Sequence, residues 1–285
     1  MNGSRLDSLT AAPGPIGVFD SGYGGLTILR DMRRAMPRYD YLYLGDNARA
    51  PYGPRSFDVV YKFTREAVLK LFGLGCSLVI LACNTASAKA LRTIQQTDLP
   101  LIDPERRVLG VIRPTAECIG TISKTQHVGI LATEGTIRSR SYELEIAKLW
   151  PSITVSGVAC PLWAAIVEAN EAASDGADYF VGKRIRQLMA KDRLIDSIIL
   201  GCTHYPLLLP LIRKHTPAGV NIVAQGMYVA QSLKAYLRNH PAIDARCTRN
   251  GSCRYLTTES PERFKETARV FLNEETDVEN IDLEM

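Results

Sequence analysis

Residues 79–85 of the chain read Val79-Ile80-Leu81-Ala82-Cys83-Asn84-Thr85, and residues 198–204 read Ile198-Ile199-Leu200-Gly201-Cys202-Thr203-His204. Each stretch is an apolar run typical of a buried strand, followed by a small residue, a cysteine and polar residues that open a helix. A second pair of stretches, 16–22 and 128–134, is also similar: IGVFDSG corresponds to VGILATE. The chain is therefore predicted to contain two similar lobes, each with a cysteine at the end of a strand.

Short apolar runs alternate with longer segments of helical periodicity along the whole chain. Strands are predicted at 16–19, 41–44, 78–81, 128–131, 154–158, 197–200 and 254–257. Helices are predicted at 27–36, 57–74, 85–95, 139–148, 161–169, 175–191 and 262–272. This alternation predicts the α/β class, with mainly parallel sheets flanked by helices. Two such lobes facing each other would hold the active site in the cleft between them.

The predicted division of the chain follows from this repeat. A break near Arg113 and Pro114 separates the lobes. The first lobe is predicted to comprise residues 1–113 and 224–285, because the chain after about residue 223 returns to it, and it carries Asp20 and Cys83. The second lobe, residues 114–223, carries Glu168, Cys202 and His204.

The bulk composition excludes several classes of protein. The chain has 285 residues and a net charge of +4, from 34 Lys and Arg against 30 Asp and Glu, which is too small an excess to require nucleic acid. No apolar run is long enough to span a membrane, and residues 1–15 have no apolar signal core, so a cytoplasmic location is expected. The basic cluster at Arg30, Arg33 and Arg34 is interpreted as a solvated helix face, and residues 274–284 as a frayed acidic tail.

Seven cysteines, an odd number, indicate free thiols in a reducing compartment. Cys247 and Cys253 lack a second pair of ligands at metal-binding spacing, so no metal site is predicted. Cys76 and Cys118 are interpreted as packed small apolar residues. Cys160 is intermediate between a packed cysteine and a candidate site residue, because it ends a strand but has no counterpart in the repeat.

Cys83 and Cys202 differ from the other cysteines because each is predicted to lie past the carboxyl end of a parallel strand, at the start of a helix. Ligands of open α/β sheets bind at this position. Unpaired N–H groups at a helix start favour the thiolate and are expected to lower the cysteine pKa. Two such thiols facing a cleft indicate an enzyme that moves a proton at one carbon of a small substrate.

A glycine-rich loop, Asp20-Ser21-Gly22-Tyr23-Gly24-Gly25, follows the first strand. It gives weak support for a nucleotide site, because Thr27 stands where the dinucleotide fingerprint needs its third glycine. The glycines would instead let the backbone approach a small ligand closely. His204, two residues after Cys202, lies on the same loop as that thiol.

At these motifs the sequence resembles the glutamate racemases of the aspartate/glutamate racemase superfamily. The resemblance extends from about residue 16 to residue 272, and five motifs in the same order carry it: FDSGYGGL at 19–26, GDNARAPYG at 45–53, ACNTA at 82–86, ACPLW at 159–163 with Glu168, and LGCTHYPL at 200–207. Asn47 departs from the family, which commonly has threonine there, and residues 242–252 form an insertion-like stretch that has no match.

The resemblance implies a two-lobed enzyme that interconverts L- and D-glutamate without pyridoxal phosphate or metal, and so supplies D-glutamate for peptidoglycan. It assigns Cys83 to the face that acts on D-glutamate and Cys202 to the face that acts on L-glutamate, with Asp20 and His204 assisting them and Glu168 in support. It implies substrate contacts from Asp20, Ser21, Tyr52, Gly53, Asn84, Thr85, Thr203 and His204. A homodimer is left open.

Other functions compete with this interpretation. Aspartate is the alternative substrate within the same superfamily. A cysteine hydrolase would use Cys202 as nucleophile and His204 as base, but would leave Cys83 unexplained. A two-lobed amino-acid binding module would not need paired thiols. A pyridoxal enzyme would need a Schiff-base lysine, and no lysine stands at a predicted strand end near the motifs.

Overall fold

Two parallel sheets organise residues 12–283, the part of the chain that the computed structural model describes. The first sheet has six strands in the order β10-β9-β2-β1-β3-β4, and the second has four in the order β6-β5-β7-β8. The strands are β1 Ile16–Asp20, β2 Tyr41–Gly45, β3 Leu78–Leu81, β4 Arg107–Gly110, β5 His127–Ala132, β6 Thr154–Ala159, β7 Ser197–Gly201, β8 Asn221–Val223, β9 Cys253–Thr257 and β10 Val278–Asn280.

The helices connect these strands and cover the sheets. The α-helices are α1 Leu26–Ala35, α2 Phe57–Gly73, α3 Asn84–Lys89, α4 Leu91–Thr93, α5 Leu99–Ile102, α6 Ile112–Ile122, α7 Glu134–Ser139, α8 Ser141–Leu149, α9 Trp163–Glu168, α10 Asp175–Lys191, α11 Leu209–His215, α12 Gly226–Asn239, α13 Pro241–Asp244 and α14 Pro261–Leu272. Two 3₁₀ helices, Asn47–Arg49 and Tyr205–Leu208, and a π-helical turn, Ile94–Asp98, complete the list for the described residues. None of the helices in residues 12–283 is long and apolar enough to cross a bilayer.

The same strand order occurs in both sheets, which confirms the predicted α/β class with parallel sheets. The order β2-β1-β3-β4 in the first sheet corresponds to β6-β5-β7-β8 in the second. The registers also correspond, since Phe19 of β1 is paired with Leu81 of β3, and Leu131 of β5 with Leu200 of β7. These strands contain the stretches that the sequence repeats, so equivalent residues follow equivalent strands.

The chain crosses between the two sheets twice. It leaves the first sheet after β4 and returns after β8 to α12, which packs against α1. The predicted break near Arg113 and Pro114 does not form a linker, because both residues lie in the first turn of α6. Proline is tolerated there, since the first N–H groups of a helix have no partner within the helix. The division into residues 1–113 with 224–285 and residues 114–223 stays a prediction.

The acidic C-terminal segment is ordered where the sequence predicts fraying. Residues 278–280 form β10, which pairs with β9, and Val278 and Leu283 are buried. The basic cluster holds this region in place: Arg33 forms an ion pair with Glu274, and the Arg30 guanidinium donates to the Phe271 carbonyl at 3.1 Å. The apolar side chains between the acidic ones therefore decide the structure of this segment, and two of the arginines have fixed partners.

The insertion-like stretch 242–252 packs at the amino ends of β1 and β2. The Asp40 carboxylate accepts hydrogen bonds from the backbone N–H groups of Asn250, at 3.0 Å, and Ser252, at 2.8 Å. Burial raises the pKa of Asp40, but these and further hydrogen bonds from the stretch outweigh burial and lower it to about 2. Cys247 lies beside Gly14 in an isolated parallel bridge. This stretch is therefore anchored to the segments that lead into β1 and β2.

Candidate active site

A cavity of about 380 Å³ lies between the carboxyl ends of the two sheets. All the predicted site residues except Asp20 line it: Ser21, Tyr52, Gly53, Cys83, Asn84, Thr85, Glu168, Cys202, Thr203 and His204. Cys83 follows β3 and Cys202 follows β7, so the repeated motifs place one thiol on each wall. The fold therefore brings together residues that are more than a hundred positions apart in the sequence.

Cys83 is the N-cap residue of α3 and is buried. Its Sγ accepts from the backbone N–H of Ala86 at 3.4 Å, and lies 3.4 Å from the Ser21 hydroxyl. Burial, together with the nearby Asp20, nevertheless raises the pKa of the Cys83 thiol to about 12. The expectation that the helix start lowers this pKa is wrong, because desolvation outweighs the hydrogen bonds to sulfur.

Cys202 has a different environment, because no α-helix begins directly after it. The chain continues into a turn and then the 3₁₀ helix Tyr205–Leu208, so the predicted helix start at Cys202 is wrong. The sulfur instead has a side-chain partner, His204, whose Nδ1 lies 3.7 Å away. His204 Nε2 lies 2.7 Å from Glu168 Oε1. The three side chains form a chain from sulfur to carboxylate.

His204 is held as a cation in this arrangement. Burial disfavours the charged ring, but the hydrogen bonds to Cys202 and Glu168 outweigh burial and raise the pKa of His204 to about 10. Both ring nitrogens then donate, one to sulfur and one to the carboxylate. The edge of the ring packs against Phe271 of α14, with the ring centroids 5.5 Å apart.

Asp20 is close to Cys83 but lies behind the cavity wall. It is buried, and its Oδ2 accepts from the backbone N–H of Gly22 at 2.9 Å. Its other carboxylate oxygen, Oδ1, has no hydrogen-bond partner. Burial raises the pKa of Asp20, although the positive charge of His204 opposes the shift. Asp20 therefore does not line the cavity, although it lies close to Cys83.

Two residues that were predicted to contact the substrate already form side-chain hydrogen bonds within the protein. The Tyr52 hydroxyl donates to the Asp46 carboxylate. The Asn84 amide is hydrogen-bonded at both its oxygen and its nitrogen, to Tyr142 and Gln225. The side-chain hydrogen-bonding groups of Tyr52 and Asn84 are therefore already occupied by protein partners.

Other lining residues were not singled out in the sequence. Thr133, which follows β5, lies with its hydroxyl 2.9 Å from that of Thr85, across the cleft. The similarity of 16–22 to 128–134 could have identified Thr133, since it corresponds to Ser21. Arg263 and Glu259 line the cavity from the region of α14 and belong to no motif.

The glycine-rich loop serves a close contact between the lobes. The Thr27 hydroxyl donates to the Thr203 carbonyl at 2.9 Å. A Cβ on Gly24 would lie 2.2 Å from Thr203 Oγ1 and 2.4 Å from His204 Nδ1. The glycines of this loop therefore permit close contact with the Cys202 loop. In a dinucleotide-binding loop, the glycines would instead permit close contact with a phosphate.

A second cavity, of about 620 Å³, is larger but contains neither thiol. It is lined by side chains such as Arg92, Arg113 and Lys148. The described residues contain no group of three or more His, Cys, Asp or Glu side chains arranged to hold a metal ion. We therefore assign the candidate active site to the smaller cavity, because the titratable groups converge there.

Two α/β lobes of the same strand order, with one thiol from each at a shared cavity, define a class of two-lobed enzymes with paired thiols. Comparison with known proteins specifies the class further. The chain belongs to the Asp/Glu/Hydantoin racemase family, whose sequence model matches residues 16–232.

Individual relatives are similar over nearly the whole chain. The glutamate racemase of Lactococcus lactis subsp. cremoris is 37% identical over 277 residues, which cover 95% of this chain and 98% of the relative. A crystal structure of a glutamate racemase isoform from Bacillus anthracis superimposes with a TM-score of 0.86 at 33% identity, covering 95% of this chain and 98% of that one. A Francisella tularensis glutamate racemase in complex with D-glutamate gives a TM-score of 0.83 at 31% identity, with the same coverage.

Proposed function

We propose that this protein interconverts L- and D-glutamate by a two-base mechanism that uses Cys83 and Cys202. The observation that carries the proposal is that the two thiols come from equivalent strands of the two lobes and line one cavity. Racemisation needs a base on one face of the α-carbon and an acid on the other, and two facing walls meet that need. The glutamate racemases among the relatives support glutamate as the substrate.

In the proposed reaction, one sulfur removes the α-proton and the other supplies the proton that replaces it. With L-glutamate bound, the Cys202 thiolate removes the α-proton, and the pair of electrons from the C–H bond stays on the α-carbon. The Cys83 thiol then donates its proton to the opposite face, which gives D-glutamate, a Cys202 thiol and a Cys83 thiolate. The reverse reaction starts from that state, and exchange with solvent resets the two sulfurs.

The surroundings of each thiol support these roles. The protonated His204 donates toward Cys202 Sγ and is oriented by Glu168, so it stabilises negative charge on that sulfur. The raised pKa of Cys83 keeps that sulfur protonated in the free protein, as the proton donor must be. Asp20 would assist Cys83 from behind the wall.

Substrate binding is proposed to use neutral donors within the cavity and one cation at its edge. Ser21, Thr85, Thr133 and Thr203 line the cavity, and their hydroxyl groups are proposed to donate hydrogen bonds to the substrate carboxylates. Arg263, an exposed side chain on α14, supplies a positive charge to an anionic substrate. Both thiols are buried, and hydrogen-bond donors in such a site of low dielectric constant stabilise a carbanion more than they would in water.

The alternatives predict different products. An aspartate racemase would share the mechanism and differ in the preferred substrate. The chain Cys202–His204–Glu168 also has the order of groups that a cysteine hydrolase uses, with a nucleophile, a base and a group that orients the base. A hydrolase would form an acyl-enzyme on Cys202 and would leave the Cys83 wall without a role.

The test is the interconversion of glutamate enantiomers by the dialysed protein, followed by circular dichroism or chiral chromatography. We expect racemisation in both directions without added cofactor, and in heavy water deuterium in the product while early unreacted substrate stays protiated. Activity that returned only with pyridoxal phosphate would overturn the proposal. A faster reaction with aspartate would identify aspartate as the preferred substrate. An acyl-enzyme detected by mass spectrometry would favour a hydrolase.

A further inference from the structure

Asn84, Tyr142 and Gln225 form a closed ring of hydrogen bonds. Asn84 Nδ2 donates to Gln225 Oε1 at 2.7 Å, Gln225 Nε2 donates to the Tyr142 hydroxyl at 2.6 Å, and that hydroxyl donates to Asn84 Oδ1 at 2.7 Å. All three residues are buried. Each group donates to the next around the ring, so every bond polarises its neighbour in the same sense.

The ring joins three separate parts of the fold. Asn84 directly follows Cys83 at the start of α3, and Tyr142 lies on α8, which covers the second sheet. Gln225 is the residue before α12, where the chain returns from β8 to the first lobe. One member of the ring is therefore the neighbour of a proposed catalytic thiol, and another lies at a crossing between the lobes.

Gln225 also forms hydrogen bonds with the other segment in which the chain passes between the two sheets. One Nε2 hydrogen goes to Tyr142, and the other is shared between the Val111 carbonyl, 3.1 Å away, and the Thr115 hydroxyl, 3.0 Å away. Val111 lies between β4 and α6, where the chain leaves the first sheet. A single buried amide thus links both chain crossings to each other and to Asn84.

We infer that this ring sets the separation of the two thiol walls, and that Tyr142 and Gln225 are positioning residues for Cys83. The inference rests on the proposed two-base function. Both sulfurs must reach the same α-carbon from opposite sides, and a misplacement of about 1 Å costs about 100-fold in rate. A ring that ties α3 to α8 and to both crossings fixes the position of Cys83 relative to the second lobe, and so controls that geometry.

Some reactions at this site need both walls, whereas others need only one. Racemisation requires both thiols. The elimination of chloride from 3-chloroglutamate requires only removal of the α-proton, since the electron pair of the C–H bond forms the new double bond as chloride leaves. A change in the separation of the walls should therefore impair racemisation much more than elimination.

The test variant is Tyr142→Phe, which removes one hydroxyl and opens the ring. We expect kcat for racemisation to fall by about 10- to 100-fold in both directions, with KM and the rate of chloride elimination changed by less than about threefold. The control is Tyr41→Phe, because the buried Tyr41 hydroxyl bonds the Met32 and Met36 carbonyls in the first lobe, at 3.3 and 3.1 Å. This control should keep both activities.

Two results would overturn the inference. Tyr142→Phe could lose thermal stability but keep its racemisation kcat, which is the result for a purely structural hydroxyl. Racemisation and elimination could fall by the same factor, which would show a general defect of the site. Failure of the unmodified protein to racemise glutamate would instead contradict the proposed function itself, and is measured first.

A second variant tests whether the ring acts as a unit. Gln225→Leu should reproduce the selective loss of racemisation, and the double variant with Tyr142→Phe should lose less than about threefold more than the stronger single variant. Independent, multiplying losses would overturn the role of the ring. If Gln225→Leu fails to fold, as judged by thermal unfolding, the comparison of racemisation with elimination in Tyr142→Phe still decides the matter.

Discussion

At the scale of single residues, Cys83 and Cys202 occupy equivalent positions after β3 and β7 but have unlike partners. Cys83 has a backbone N–H and the Ser21 hydroxyl, whereas Cys202 has a histidine that is oriented by a carboxylate. The two-base proposal gives each sulfur one face of the substrate. Removal of either thiol should therefore affect one half of the reaction and leave the other half intact.

We predict that Cys83→Ser and Cys202→Ser each lower racemisation by more than about 1,000-fold, because a serine hydroxyl is a far weaker acid and base than a thiol near neutral pH. Each variant should still eliminate chloride from one enantiomer of 3-chloroglutamate, Cys202→Ser from the D form and Cys83→Ser from the L form. The measurement is chloride release from each enantiomer, with Cys118→Ser as a control. Elimination from both enantiomers by both variants would contradict the two-thiol mechanism.

The raised pKa of His204 predicts a dependence of stability on pH. The folded protein holds the proton up to about pH 10, whereas the unfolded chain releases it near the ordinary value of 6.5. The contribution of His204 to the free energy of unfolding is therefore complete below pH 6.5. It is lost as the pH rises toward 10, by at most about 1.4 kcal/mol per pH unit. Denaturant unfolding between pH 6.5 and 8.5 should show this slope, and His204→Gln should reduce it. An unchanged slope in the variant, or a reduced one in the exposed control His240→Gln, would refute this assignment.

The sequence located the two thiols but could not show which side chains were available. The repeated motif was sufficient to place Cys83 and Cys202 at strand ends. The hydrogen bonds of Asn84 to Tyr142 and Gln225 join residues 58 and 141 positions apart, and nothing in a local motif reports them. The position of Asp20 behind the wall likewise depends on how the next residues fold over it.

At the scale of elements, prediction succeeded where periodicity was long and uninterrupted. The helix predicted at 175–191 has those bounds in the structure, and the seven predicted strands agree to within a residue at each end. The strands β4, β8 and β10 were missed, because each has only three or four residues and lies at a sheet edge. The helix predicted at 85–95 is divided into α3, α4 and part of a π-helical turn, since helical spacing of apolar residues alone does not report such interruptions.

The contact between the glycine loop and the Cys202 loop leads to a prediction for Gly24→Ala. The new methyl group would overlap Thr203 and His204 side-chain atoms, so the two loops must separate. We expect racemisation to fall by about 100-fold or more, because His204 is displaced from Cys202. Gly73→Ala is the matched control, since its Cβ would meet nothing within 4 Å. Steady-state kinetics of the two variants decide the point, and equal activity in both would contradict it.

At the scale of the whole molecule, one continuous buried cluster includes residues of both sheets, such as Val18 and Tyr43 of the first and Leu131 and Ile198 of the second. We therefore predict that both lobes unfold in a single transition. Scanning calorimetry should give equal van't Hoff and calorimetric enthalpies. Glutamate at about 100 times its Kd should stabilise the folded state by about 2.7 kcal/mol and shift the whole transition. Two resolved transitions, or a shift of only part of the heat absorption, would show independent lobes.

The unlike partners of the two sulfurs have a consequence for metabolic flux. The equilibrium constant between two enantiomers in an achiral solvent is one, so the Haldane relation makes kcat/KM the same in both directions. His204 and Glu168 beside one sulfur, and Ser21 beside the other, cannot favour one direction at low substrate concentration. If kcat is larger for one enantiomer than for the other, its KM must be larger by the same factor. The asymmetry of the site can therefore act only near saturation, and conversion beyond an equal mixture of the two enantiomers requires other reactions to remove one of them.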